Sequence, residues 1–447
     1  MNANSASDAP ALWRQLTLSA IALQAIRAGT SGTAALNAVE PGLRPGVQAI
    51  VFHVLRRLGR AQALREQLAP RAPPAQADAL LCSALALAWH EQEAPYDAFT
   101  LVDQAVEAAK RHPGTRRQAS FINACLRRFL RERAALAALT DRNPVALWNH
   151  PAWWIARLRQ DHPARWQEIL RANNTHAPMT LRVNERKVGL AQYLHTLDAA
   201  NIVAIPVGRS GAMLQQALPV GAIPGFAQGL VSVQDAAAQR AAPLLLAGWE
   251  HLRGLRVLDA CAAPGGKTAH LLELMDARVT ALDIDPARCE RIHENLRRLG
   301  LNAQVIAADA MNPPLWWPQQ CASEPFEAIL LDAPCTASGI VRRHPDVRWL
   351  RRESDIAQLA SVQAALLAAL WPLLRPGGRL LYCTCSVFRA EGYEQIQTFV
   401  THNTDAVLRP SPGHLIPQIA ANGDAVRDNH SGDHDGFFYA LLEKRAA

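Results

Sequence analysis

The chain has 447 residues, of which 49% are hydrophobic and 19% charged, and it carries a net charge of +7. That balance is globular, so wholesale disorder is excluded, and the length allows several domains of roughly 100–200 residues. The longest apolar runs, Ala79–Trp89 and Ala364–Leu374, fall short of the roughly 18 residues of a bilayer span, and Met1–Pro10 lack a basic run followed by an apolar one, so neither a membrane segment nor a secretory signal is expected.

Residues 1–140 read as one all-helical domain. Apolar residues recur at helical spacing in Ala11–Ala28, Val47–Leu68, Ala77–Trp89, Leu101–Lys110 and Arg117–Arg133. Breakers separate these stretches at Pro41-Gly42, Pro70 to Pro74, Pro95 and His112-Pro113-Gly114. Residues 1–150 hold 17 Lys/Arg against 11 Asp/Glu, almost the whole positive excess of the chain. Only four of the 46 basic residues are lysines, which a GC-rich coding sequence would explain. Coding bias does not explain why acids fail to balance the arginines in one segment, so a polyanionic partner is expected there.

Residues 141–235 read as a small mixed linking domain. A helical stretch, Ala152–Ala172, follows Asn143-Pro144 and His150-Pro151. Short strands are predicted at Thr180–Val183, Ile202–Pro206 and Leu230–Val233, with a loop at Pro219–Pro224.

Residues 236–447 alternate strand and helix. Strands are predicted at Leu255–Ala260, Val279–Asp283, Gln304–Ala308, Ala328–Asp332 and Arg379–Thr384, with a last one at Gly436–Leu442. Helices at Lys267–Met275, Pro286–Leu299 and Asp355–Leu374 lie between them, which implies a parallel α/β sheet with right-handed crossovers.

In such sheets ligands bind at the carboxyl ends of the strands. The first strand ends in Asp259-Ala-Cys-Ala-Ala-Pro-Gly-Gly-Lys-Thr268. The loop has only Gly265-Gly266, not the three spaced glycines of a dinucleotide fingerprint, and Cys261 stands where a Walker A loop opens with glycine. A nucleoside without a phosphate chain fits better. Asp283 ends the second strand, in the range roughly 20 residues on where a ribose-hydroxyl acceptor is placed, and Asp309 and Asp332 end the third and fourth. Each alone reads as a solvated strand-end acid. The three in register with the glycine turn point to S-adenosylmethionine, with no metal.

Eight cysteines form no CxxC pair and no zinc-like spacing with histidine, so a structural zinc is not expected and reduced thiols in the cytoplasm are. Two of them end strands on the ligand edge: Asp332-Ala-Pro-Cys335 and Tyr382-Cys-Thr-Cys-Ser386. A lone buried cysteine is ordinarily a small hydrophobe. Two that converge beside a methyl donor suit pyrimidine C5 methylation, in which a thiolate adds to carbon 6 and makes carbon 5 nucleophilic. The residues do not by themselves rank the two thiols. Arg342, Arg343 and His344 follow Cys335 and are expected to supply charge to it or to clamp phosphate.

Several segments together carry a specific resemblance: Val231–Gln239, Asp259–Thr268, Asp332–Cys335, Thr384–Ser386 and Asp435-Gly-Phe-Phe438. Residues 230–443 resemble the RNA cytosine-C5 methyltransferases of the Nol1/Nop2/Sun family, and the helical segment 11–135 resembles NusB-like RNA-binding domains. The resemblance implies a Rossmann-like domain with a mostly parallel seven-stranded sheet, small-subunit (16S) ribosomal RNA as substrate and S-adenosylmethionine as donor. It implies Cys385 as the nucleophile and Cys335 as the thiol that assists product release. Donor contacts are implied at Cys261, Ala262, Ala263, Pro264, Gly265, Gly266, Lys267, Asp283, Asp309 and Asp332. Arg389-Ala390-Glu391 departs from the proline and paired acids that often follow the nucleophile motif, a change expected to alter the loop and not the chemistry.

Three rival readings are weaker. A non-catalytic RNA-binding or antitermination module does not account for the two thiols and the donor loop. Amino-group methyltransferases commonly carry Asn/Asp-Pro-Pro-aromatic where this chain has Asp332-Ala-Pro-Cys335. The same chemistry on transfer RNA is opposed only by the helical domain. Asn429–His434 reads as a polar loop, Trp316-Trp317 as core or a surface loop, and a monomer is the default expectation.

Overall fold

The computed structural model describes residues 10–249, 251–417 and 433–446, so residues 429–432 of the expected polar loop lie outside the described residues. The chain forms two units, one running through Thr175 and including Val341–Arg351, the other comprising His176–Ile340 and the chain from Arg352 onward. This division differs from continuous boundaries after 140 and 235.

The first unit is helical. Its main helices are Leu12–Arg27, Arg44–Arg56, Leu58–Leu68, Ala75–Ala88, Ala98–Arg111 and Ala119–Thr140. Ala75–Ala88 is buried along almost its whole length, which explains why its sequence is apolar on every face. Its one acid, Asp78, pairs with Arg27 at 2.7 Å and Arg65 at 2.9 Å. The single helix expected over Val47–Leu68 is two helices parted at Arg57, a residue with no breaking tendency of its own.

Val341–Arg351 is built into this helical unit by buried polar contacts. Arg348, fully buried, donates to the carbonyls of Asn149 at 3.1 Å and Asn173 at 2.5 Å, and to Asn174 Oδ1 at 2.5 Å. Trp349 Nε1 donates to Leu55 O at 2.8 Å, Arg56 to Arg342 O at 2.7 Å, and the Gly32 N–H to Asp346 at 2.8 Å. Arg342–His344, expected beside Cys335 as a charge source, belong to this segment, and the Arg342 side chain is buried. Nothing in the sequence marks the excursion, because its arginines read as surface charge.

The second unit holds two sheets. The smaller is antiparallel, with β1 (Met179–Val183), β2 (Ala204–Val207), β3 (Gly211–Leu214) and β4 (Val231–Val233) in the order β2-β3-β1-β4. The larger contains β5 (Leu255–Ala260), β6 (Ala277–Asp283), β7 (Gln304–Ala307), β8 (Phe326–Asp332), β9 (Leu374–Thr384), β10 (Ala406–Leu415) and β11 (Phe437–Lys444). Its order is β10-β11-β9-β8-β5-β6-β7. The five strands from β9 to β7 are parallel, and β11 and β10 are added antiparallel. The chain runs outward from β5 through β6 and β7, then returns to β8 on the other side of β5. That reversal is the switch point at which such sheets open a ligand crevice.

Helix Ser354–Leu370 and the turn after it, to Leu373, are long and apolar enough by length and composition to cross a bilayer. In the fold this helix covers the large sheet. Leu366, Leu367 and Leu370 enter the core with Leu331, Leu380 and Tyr382, while its exposed positions are Ala, Ser and Gln.

Candidate active site

At the carboxyl end of β5 the chain turns through Cys261 to Gly265 into helix Gly266–Leu274. Gly265 has φ +90°, a left-handed conformation that a side chain disfavours, and an added Cβ would crowd Ile292 at 3.1 Å. Asp259 lies wholly buried beneath the turn and accepts from Thr268 Oγ1 at 2.5 Å, so it ties strand to helix. Burial, outweighing the Thr268 hydrogen bond, pushes its carboxyl up to about 7.

Asp283, at the end of β6, is buried and accepts from the Ala263 N–H at 3.0 Å and the Asp285 N–H at 3.2 Å, one on each oxygen. A carboxylate offers about four lone-pair positions, so Asp283 retains acceptor capacity that a ribose hydroxyl could use. Arg288 closes the same corner, donating to Ala263 O at 3.0 Å and lying 3.4 Å from Asp283. Asp309, after β7, accepts from the Met311 N–H at 2.9 Å and Asn312 at 2.6 Å, while the core Trp316 donates its indole N–H to the Asp309 carbonyl.

Asp332, at the end of β8, is held by Lys267 Nζ at 2.7 Å and by the buried Cys383 thiol at 3.4 Å. Burial opposes the charge on Lys267, but Asp332 outweighs it and the ammonium is stabilised. The β8 and β9 ends bring Cys335 and Cys385 together, sulfur to sulfur at 3.4 Å, both half-buried. The Cys335 thiol is pushed well above its ordinary pKa, first by its hydrogen bond to Cys385, then by burial and by the charges of Cys385 and Glu391.

A cleft of about 400 Å³ joins these groups. Its wall includes Cys261, Ala263, Asp283, Asp309, Asp332, Cys335 and Cys385. Ala262, Pro264, Gly265, Gly266 and Lys267, expected as donor contacts, are not on that wall. Ala262 packs into the core, and Lys267 pairs with Asp332, which does line the wall. Apolar neighbours Leu282, Ile284, Ala310 and Met311 also line the cleft, a surface suited to a purine ring.

Backbone contacts knit the separate motifs around this cleft. The Gly339 N–H donates to Cys385 O and the Gly436 N–H to Gly339 O, each at 2.9 Å. A Cβ on Gly339 would lie 2.0 Å from the Gly436 carbonyl oxygen, so only glycine fits. The Asp435 N–H donates to Asp235 at 3.1 Å, which joins the Val231–Gln239 segment to Asp435–Phe438.

Three supports have no clear mark in the sequence. Arg288 looked like one arginine among many. Arg182 on β1 makes a buried two-point pair with Glu273, both bonds 2.8 Å, and reaches the Gly266 carbonyl at 2.8 Å and Gln234 at 2.5 Å. In the sequence Glu391 stands out only within the Arg389-Ala390-Glu391 departure, although an acid six residues past Cys385 is a usable signal.

A family model described as 16S rRNA methyltransferase RsmB/F matches residues 246–443, its companion ferredoxin-like domain matches 150–221, and a NusB family model matches 15–131. The Ribosomal RNA small subunit methyltransferase B of Vibrio cholerae serotype O1 is 39% identical over 430 residues, covering 94% of this chain and 95% of that protein. Among solved structures, PH0851 superposes with a TM-score of 0.69 at 24% identity, over 96% of this chain and 99% of that one, a likeness of fold. A methyltransferase homolog from Pyrococcus horikoshii has a TM-score of 0.55 at 27% identity, over 67% of this chain and 97% of that one.

Proposed function

Because the chain belongs to the 16S rRNA methyltransferase RsmB/F family, we propose that it methylates carbon 5 of a cytosine in 16S ribosomal RNA, with S-adenosylmethionine as donor and a covalent bond from Cys385 to carbon 6. One observation carries the reading. Two sulfurs 3.4 Å apart stand on the wall of the cleft that Asp283 and Asp309 also line. A methyltransferase acting on a nitrogen or a hydroxyl has no use for that pair.

Carbon 5 of cytosine is a poor nucleophile. Addition of the Cys385 thiolate to carbon 6 turns the C4–C5–C6 unit into an enamine, and carbon 5 then attacks the sulfonium methyl. A base takes the C5 proton and the C6–S bond breaks to give back the Cys385 thiolate. Cys335, within hydrogen-bond reach and still protonated, donates its S–H to that departing sulfur, which favours release. Asp283 holds the donor ribose, and the apolar side chains beside it take the adenine. The basic excess of the helical domain supplies affinity for ribosomal RNA in the cytoplasm.

The target is tested by bisulfite sequencing of total RNA from a deletion strain carrying this gene or none. One 16S cytosine should resist conversion only when the gene is present. A gene-dependent cytosine found only in transfer RNA would move the substrate to that class, and no gene-dependent cytosine at all would end the C5 reading.

The donor site is tested at Asp283. Asp283→Ala removes the free acceptor positions and the anchor of the Ala263 N–H together. Each lost charge-assisted hydrogen bond costs about 1.5–3 kcal/mol, so affinity for S-adenosylmethionine should fall tenfold or more by titration calorimetry. Unchanged affinity would remove Asp283 from the site.

A further inference from the structure

Glu391 is fully buried after β9, and its surroundings are specific. One carboxylate oxygen accepts from the Thr336 N–H at 2.8 Å and Gln363 Nε2 at 3.2 Å, the other from Ser386 Oγ at 2.6 Å and Thr336 Oγ1 at 2.5 Å. Thr336 follows Cys335, and Ser386 follows Cys385. Gln363 also donates to the carbonyl of Pro334, the residue before Cys335, at 2.9 Å. The Glu391 backbone is fixed in turn, since its carbonyl accepts from Tyr382 OH at 2.8 Å and Thr384 Oγ1 at 3.3 Å, both on β9.

A buried carboxylate is costly unless its acceptors are filled, and here the four donors named are neutral. Its recorded side-chain partners, Thr336, Ser386 and Gln363, carry no charge to offset that cost. A hydrophobic side chain would hold this corner as well if packing were all that mattered. What the carboxylate adds is geometry: it bridges the two strand-end arms that carry the sulfurs.

The geometry points to Glu391 as a positioning residue that clamps the arms of Cys335 and Cys385 to each other and so holds Cys335 where it can donate to the departing Cys385 sulfur. This rests on the covalent reading proposed above. Glu391 lies off the cleft wall, so it touches neither donor nor base. Its loss should slow release and leave binding alone.

The test uses the full chain, labelled 16S ribosomal RNA lacking the modification, and S-adenosylmethionine. Four proteins are compared: wild type, Cys335→Ala, Glu391→Gln, and Thr336→Val, which removes one tether and keeps the side-chain shape. Methylation rate, KM for each substrate and the fraction of RNA in a denaturant-resistant adduct are measured. Glu391→Gln should lower kcat about tenfold or more while both KM values stay within about twofold, and adduct should accumulate. Thr336→Val should show a smaller effect in the same direction, and adding it to Glu391→Gln should worsen little, since both act on one clamp. Adduct in Cys335→Ala with wild-type behaviour in Glu391→Gln would overturn the clamp alone. A Glu391→Gln protein whose KM values rise as kcat falls would also overturn it, as general loss of structure. Absence of adduct in Cys335→Ala would bring down the covalent reading and the clamp with it.

Discussion

Replacing Cys385 with alanine should abolish methylation and leave no protein–RNA adduct, whereas replacing Cys335 should permit one methyl transfer and then stall as a covalent species. The asymmetry follows from the order of bonds. In the proposed covalent mechanism, attack at carbon 6 precedes methyl transfer, so without the Cys385 sulfur no enamine would form. Release would come last and would need a donor to the sulfur that leaves. The 3.4 Å contact places the Cys335 thiol within hydrogen-bond reach of that sulfur, and burial with the neighbouring charges raises the Cys335 pKa, the direction that favours a proton donor. A loss of several orders of magnitude is usual when a covalent nucleophile is removed, roughly 10⁴-fold or more in well-studied cases. A denaturing gel with labelled RNA and S-adenosylmethionine reads both outcomes. A slow band in Cys385→Ala and none in Cys335→Ala would exchange their roles. Full activity of both variants without any band would defeat covalent catalysis.

The sequence made the large sheet legible because its central strands are mostly buried, and burial on both faces writes nearly continuous apolar runs. The edge strand β10 was not legible. It carries Pro410 and Pro412, which are tolerated there because one side of an edge strand needs no hydrogen-bond partner. The acids and thiols of the cleft were legible for another reason: strand ends in a parallel sheet open on one edge, so the topology alone puts Asp283, Asp309, Asp332, Cys335 and Cys385 together. What stayed hidden were the side chains that hold those residues from a distance in the chain. Arg182 contacts Glu273 across 91 residues, and Arg348 reaches Asn173 across 175. Neither spacing has a period, and an arginine that will be buried looks the same in sequence as one that will be solvated.

Arg182→Met should therefore cost more than any cleft-lining substitution in stability, and it should weaken donor binding as well. Arg182 and Glu273 are both almost entirely removed from solvent. Removing the guanidinium leaves a buried carboxylate without its two-point partner, a change worth on the order of 3–5 kcal/mol. For a unit of this size that corresponds to a fall in melting temperature of about 10 °C. Replacing both residues, Arg182→Met with Glu273→Leu, removes the stranded charge and should restore most of the stability. It should not restore donor affinity to the same degree, because Arg182 also donates to the Gly266 carbonyl at the entry to the donor-loop helix and to Gln234. Arg182→Lys keeps a charge but loses the fork that reaches Glu273, Gly266 and Gln234 at once, so it should lie between the two in both measurements. Calorimetric melting and titration with S-adenosylmethionine separate the effects. If the double variant recovers stability and affinity equally, Arg182 serves only to neutralise Glu273 and the donor loop is shaped by its own sequence.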